Sequence, residues 1–329
     1  MRHGCCHPAH SRPCYSAGMP SPLRLTWSTV LLLLVPPLMW AGNAVVGRLV
    51  VPWIPPVTFN FLRWAIAFVL LLPLASWVFK PGSPLWSNWK RLGLMGLLAI
   101  AGYNALQYQA LRTSNPVNVT LMFASLPIWM LLVGRLGFSA RITSQEVLGA
   151  VFSGAGVVVV MTQGQPARLQ SIEFVAGDVW MLIATLVWSI YSWLLTSSKL
   201  PSCIKSDWAA LLLSQMGLGL VFSGAMAGFE FTWLSQQMQG SGQPPVQWSW
   251  TLGGVLLFVA VGPSLLAYRC WGAAVDRAGP TLAGIFSNLT PLFAAMLSLA
   301  LLGEAPTTYH TVAFALIVLG ILVTSWRRP

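Results

Sequence analysis

The chain has 329 residues, of which 56% are hydrophobic and only 8% charged, with a formal net charge of +11. An ordinary soluble domain is about one quarter charged, so this composition excludes a water-soluble fold, whose surface it could not cover. Lipid is the alternative solvent, and there a spanning helix needs about 20 mainly apolar residues.

Residues 1–26 precede the first such stretch and read as a disordered cytoplasmic tail. Cys5, Cys6 and Cys14 lie in it with His7 and His10. Their spacing matches no usual zinc pattern, so neither a metal nor a cofactor is expected. Met19 is a second candidate start. Apolar runs then recur at 27–46, 57–79, 92–111, 115–135, 145–162, 176–196, 207–228, 250–271, 280–301 and 309–326. The first is longer than the 7–15 residues of a signal-peptide core and carries Trp40 and Asn43, which makes it a retained span.

With the N-terminus inside, thirteen of the eighteen Lys and Arg fall in cytoplasmic segments, three outside, and Arg63 and Arg269 within spans. This positive-inside bias places both termini in the cytoplasm. The basic balance is therefore topology, and no nucleic-acid partner is expected. Homo-oligomerisation is left open.

The two halves repeat. An offset of 164 residues lays Pro116 on Pro280, Pro127 on Pro291, Thr143 on Thr307 and Gly156 on Gly320. An offset of 148 lays Trp40 on Trp188 and Asn43 on Tyr191, the difference being absorbed mainly by a polar loop at 229–249. The expected organisation is a first repeat at 27–162, a linker at 163–175, a second repeat at 176–326 and a short tail at 327–329. Five spans per copy is an odd number, so the copies insert in opposite orientations. The fold class is an all-α polytopic membrane protein, ten transmembrane helices as two inverted five-helix repeats, an arrangement that places substrate near the midplane between them. Glu304, one of seven acidic residues, maps onto Ala140 and has no symmetric mate. Lying just before a helix start, as "TSQE" at 143–146 does with its capping-box pattern, it reads as an anchor.

Candidate binding residues are the polar and aromatic side chains inside spans. Tyr103, Asn104, Gln107 and Tyr108 make one stripe on span three. Asn104 and Gln107 map onto Tyr268 and Trp271 of span eight. Trp40 and Asn43 of span one sit opposite Trp188, Tyr191 and Ser192 of span six, and Asn288 opens span nine. Amides cannot face lipid unsatisfied, so they point inward, to cargo or to another helix. Arg63 has two open roles: binding a carboxylate, or holding a helix end by snorkelling to the outer interface, about 9 Å away at 1.5 Å per residue. Pro36 and Pro37 are expected to interrupt span one, and Pro127 and Pro291 stand at matching places in spans four and nine, as hinges.

With "WAGNAVVGRLV" in span one, "PPVTFNFLRWAIA" in span two, "SLLAYRCWGAAVDRAGPTLAG" and "NLTPLFAAMLSLALLGE" in spans eight and nine, and "AFALIVLGILVTS" in span ten, the chain resembles the EamA-type members of the drug/metabolite transporter superfamily over residues 27–326. One departure is "GFSAR" after span four, where the family often has a Glu. The resemblance implies export of small metabolites, often amino acids, across a bacterial inner membrane through a cavity between the halves.

No Asp, Glu or His lies deep in a span, which points away from proton coupling and toward movement down a gradient. No Lys/Arg cluster suits a phosphorylated cargo, which disfavours nucleotide-sugar and sugar-phosphate carriers. An enzyme would need convergent acid, base or nucleophile at one depth, and the spans offer none. The expected function is an efflux carrier for small neutral amphipathic metabolites, amino acids foremost. The alternative is a non-transporting membrane subunit or sensor.

Overall fold

The computed structural model describes residues 26–50, 52–114, 116–171, 174–196, 199–237, 246–302 and 308–326. The Cys/His tail and Glu304 lie outside them. Among the described residues the long helices are α1 (Trp27–Val50), α2 (Pro56–Ala75), α3 (89–113), α4 (116–138), α5 (Ser144–Thr162), α6 (Ala176–Leu195), α7 (Trp208–Gln237), α8 (250–278), α9 (280–302) and α10 (Thr308–Ser325). All but α3 are long and apolar enough to cross a membrane. Helix α3 falls short because it carries Lys90, Arg91, Asn104, Gln107 and Gln109.

Four helices are irregular, in two matched pairs. Helices α3 and α8 each contain a π-helical stretch, Leu97–Gly102 and Ala260–Leu266. The 164-residue offset found in the sequence carries 97–102 onto 261–266. Helices α4 and α9 each break at a two-residue turn, 124–125 and 288–289. Pro127 and Pro291 fall in the first turn of the second half-helix, where a missing N–H leaves nothing unpaired. At Pro36 and Pro37 the expected interruption is absent, and α1 runs through both. Both prolines are buried in the packed interior.

The helix pairings respect the repeat. Helices α3 and α4 pack on α6 as α8 and α9 pack on α1, while α2 pairs with α7 and α5 with α10. The α5–α10 crossing is close along much of its length. A Cβ on Gly149 would come within 2.7 Å of the Gly320 carbonyl, and one on Gly320 within 2.6 Å of the Gly149 carbonyl. Gly156 meets the Ala313 carbonyl in the same way, at 2.8 Å. As one chain number rises the other falls, so α5 and α10 run antiparallel. Small residues let the two backbones touch, which is how helices associate where lipid removes the hydrophobic drive.

Carboxylates cap the starts of several helices, α5 and α2 among them. The Thr143–Glu146 capping box forms, with Thr143 N–H donating to Glu146 Oε2 at 2.9 Å and Glu146 N–H to Thr143 Oγ1 at 3.3 Å. At α2, Pro55 offers no side-chain cap. Glu230 of α7 supplies one instead, accepting from Val57 N–H at 3.2 Å, Thr58 N–H at 2.7 Å and Thr58 Oγ1 at 3.0 Å. Because α7 continues to Gln237, much of the polar loop expected at 229–249 is helix, and that extension is what brings Glu230 to α2.

Two stability changes follow, each read from thermal unfolding of the purified protein in detergent. Gly156→Leu should force α5 from α10 and lower stability by about 1–3 kcal/mol, a typical overpacking cost. An unchanged melting temperature would refute the tight crossing. Glu230→Ala should cost about 0.5–2 kcal/mol by uncapping α2, and Glu230→Gln less.

A cluster of aromatic rings between the two halves

Helical spacing of three residues puts side chains on one face, one turn apart. Trp188 and Tyr191 of α6 are so spaced, as are Tyr268 and Trp271 of α8. The fold turns both pairs inward, where Trp40 of α1, Trp64 of α2 and Tyr103 of α3 meet them. Trp188 is the hub, with ring centroids at 5.3 Å from Trp40, 5.0 Å from Tyr103, 5.2 Å from Tyr191, 5.4 Å from Tyr268 and 5.5 Å from Trp271. Trp40 also meets Trp271 at 5.4 Å, and Trp64 stands edge-on to Tyr268 at 4.8 Å. Such pairs contribute about 0.5–1.5 kcal/mol each beyond the area they bury.

The polar edges of these rings bind backbone that the irregular helices release. Tyr268 donates through its hydroxyl to the Ala99 carbonyl at 2.9 Å, and Trp40 Nε1 donates to the Pro263 carbonyl at 3.3 Å. Ala99 and Pro263 lie in the two π-helical stretches at positions 164 apart. Each half therefore supplies a ring donor to the other half's π-helix. Trp271 Nε1 donates to Ser192 Oγ at 3.2 Å, and Tyr191 donates to Gln215 Oε1 at 3.1 Å. Trp64 Nε1 and Trp188 Nε1 are buried without a hydrogen-bond partner.

Of the remaining candidates, Asn43 accepts from Arg63 Nη1 at 3.5 Å, and Arg63 lies over the Trp64 ring at 5.2 Å. Arg63 is only 2% exposed, so it does not snorkel to the outer interface. Asn104 is buried and spends its amide on the Ala99 carbonyl at 3.4 Å, within its own helix. Asn288 sits in the α9 break and donates to Ser153 Oγ of α5 at 3.0 Å. Both amide nitrogens are thus used within the helix bundle, while Asn288 Oδ1 is buried without a hydrogen-bond partner among the described residues. Gln107 is half-buried with no hydrogen-bond partner among the described residues. The Tyr108 side chain lies outside the described residues. Trp64, Tyr103, Asn60 and Gln215 join the site although the candidate set lacked them; Tyr103 already belonged to the span-three stripe, and Trp64 follows the in-span Arg63 directly.

The rings pack against one another. Two surface cavities lie elsewhere: one of about 800 Å³ lined by Thr58, Phe61, Gly224, Phe231 and Trp248, and one of about 400 Å³ lined by Trp129, Leu136 and Ile190. Neither borders the cluster. Among the described residues no three His, Cys, Asp or Glu gather as metal ligands.

Known proteins resemble this chain in sequence and fold. A chain from Archaeoglobus fulgidus described as an uncharacterized transporter is 25% identical over 303 residues, 91% of this chain and 98% of that one. The aromatic amino acid exporter YddG of Ancylobacter novellus is 24% identical, over 73% of this chain and 76% of its own. A solved crystal structure superposes with a TM-score of 0.69 at 21% identity, covering 90% of this chain and 96% of the other. The EamA-like transporter family model matches residues 27–162 and 175–326, so the chain belongs to the EamA-like transporter family.

Proposed function

We propose that this transporter exports small neutral amphipathic metabolites, amino acids foremost, by alternating access of two inverted five-helix repeats in a bacterial inner membrane, with both termini cytoplasmic. The observation that carries this reading is the ring cluster, assembled from α1, α2 and α3 of one half and α6 and α8 of the other. A site shared by both halves is where their relative motion changes access. Aromatic faces suit an apolar cargo body, and the serine and amide groups at the cluster edge suit a polar head. Inversion of the repeats is supported by the antiparallel α5–α10 crossing and by the reciprocal pairing of the remaining helices. The likeness to an exporter of aromatic amino acids agrees with the chemistry of the site.

The breaks in α4 and α9 and the π-helical stretches in α3 and α8 are the flexible points of this mechanism. Cargo reaches the centre only when the rings part, so movement at these points and opening of the cluster are one event. The long α5–α10 contact is a fixed axis about which the rest turns. Pro127 and Pro291 act at the breaks, and Pro36 and Pro37 leave α1 with carbonyls that lack their in-helix donors, a local softness without a break.

The test is efflux of labelled L-phenylalanine and other neutral amino acids from proteoliposomes. Trp271→Ala should cut flux at least about tenfold, through loss of the ring contacts with Trp40 and Trp188 and of the Ser192 hydrogen bond, with the amount of folded protein unchanged. Normal flux in that variant would remove the cluster from the pathway. No acidic or histidine side chain enters the cluster among the described residues, so an imposed ΔpH should leave the steady-state distribution of cargo unchanged. Accumulation against a gradient driven by ΔpH would refute downhill movement.

A further inference from the structure

Six buried side-chain polar atoms among the described residues have no hydrogen-bond partner. Three of them, Asn60 Oδ1, Arg63 Nε and Trp64 Nε1, fall within residues 60–64 of α2, and a fourth is Trp188 Nε1 in the ring cluster. Buried polar groups in native proteins are nearly always paired, so such a concentration needs a reason.

Arg63 has few structural partners: the Trp64 ring at 5.2 Å and Asn43. At 2% exposure it cannot reach interfacial water. No backbone carbonyl accepts from it, and its hydrogen bond to Asn43 Oδ1 is long, at 3.5 Å. The carboxylate nearest in the fold's logic, Glu230, is committed to the start of α2 through Val57 and Thr58. Asp178 is held by Ser114 Oγ and by Val175 N–H, and Asp207 caps α7 through Ala209 and Ala210. Among the described residues the guanidinium is thus a buried cation with no carboxylate bound to it.

Asn60 stands one turn before Arg63 on the same face of α2. Its amide nitrogen donates to the Ile100 carbonyl at 3.1 Å and to Ser223 Oγ at 3.4 Å, which fixes Oδ1 as the free acceptor. A cationic donor and a neutral acceptor, adjacent and buried, complement a carboxylate and an ammonium held on one carbon. Trp64, beneath the guanidinium and edge-on to Tyr268, joins this pair to the rings.

We infer that Arg63 and Asn60 form the head-group site of the passage, binding the α-carboxylate and α-ammonium of a free amino acid whose side chain enters the aromatic cluster. The inference rests on the carrier reading above and narrows its cargo from amphipathic metabolites to zwitterionic α-amino acids. The unpartnered atoms are then positions that cargo completes. A site built to hydrogen-bond a group rejects analogues lacking it, because its own polar atoms stay unpaired.

The experiment measures binding by ligand-induced thermal shift of the purified full chain, with L-phenylalanine, phenethylamine (no carboxylate) and 3-phenylpropionate (no ammonium) as probes. L-phenylalanine should bind at least about tenfold more tightly than either analogue. Arg63→Met should bring L-phenylalanine down to the affinity of phenethylamine while the empty protein melts no lower than wild type, since removing an unpaired buried charge relieves a desolvation cost. Asn60→Leu should erase the preference for L-phenylalanine over 3-phenylpropionate. If Arg63→Met does not fold, Arg63→Lys retains the charge but not the planar fork, and should weaken L-phenylalanine several-fold. Equal affinity of wild type for L-phenylalanine and phenethylamine overturns the inference, as does an Arg63 variant that keeps the discrimination. Proteoliposomes separate the two levels. Flux of phenethylamine equal to that of L-phenylalanine sinks the head-group site and leaves the carrier standing, whereas no flux of any of the three probes sinks both.

Discussion

Backbone amides and carbonyls have no water to turn to inside a bilayer, so every departure from a regular helix must be matched by a donor or acceptor from somewhere else in the protein. Helices α3 and α8 depart from regularity at corresponding places, and the donors come from across the interface between the halves: Tyr268 to Ala99, Trp40 to Pro263. Asn60 and Asn104 complete the set at Ile100 and Ala99. This exchange explains why rings with polar edges, and not Phe or Leu, occupy the centre. They pack as hydrophobes and suture backbone at the same time. The site and the irregular helices are therefore one structural unit.

The centre and the periphery are stabilised differently. At α5–α10, glycine lets backbones meet, and close packing holds the pair, with one hydrogen bond from Thr324 Oγ1 to the Gln145 carbonyl at 3.4 Å. At the helix ends, Glu146, Asp178 and Glu230 satisfy orphan amides, which accounts for several of the few carboxylates the chain possesses. At the centre, by contrast, Asn60, Arg63, Trp64 and Trp188 retain unpaired atoms. Each such atom costs about 1–3 kcal/mol. A transporter tolerates that expense where cargo, or a second conformation, supplies the missing partner, and the rigid α5–α10 contact offsets part of it.

Acidic side chains illustrate how placement governs role. Asp178 is wholly buried yet lies in the first turn of α6, where its carboxylate serves Val175 and Ser114. It belongs to the helix end and not to the ring cluster. Arg269, the other basic residue within a span, is exposed and lies over Trp208 at 4.7 Å, at the end of the bundle away from Arg63. The two arginines look alike in a hydropathy profile and differ entirely in surroundings.

What the sequence by itself determined was whatever lipid and periodicity dictate. Low charge compelled a membrane fold, and the 164-residue offset announced paired elements. Spacing of three residues placed Trp188 with Tyr191 and Tyr268 with Trp271 on common faces, because an α-helix repeats every 3.6 residues. The tertiary structure alone decided which faces meet. It drew Trp64 into the cluster, set the Asn104 amide on the Ala99 carbonyl and the Asn288 amide on Ser153, kept α1 unbroken at Pro36 and Pro37, and withdrew Arg63 from the interface. A π-helical turn leaves no local signature, and an amide reads the same whether its partner is cargo, backbone or serine. Trp64 meets Tyr268 and Asn288 meets Ser153 across more than a hundred residues of sequence, and only the packed helices bring them within reach.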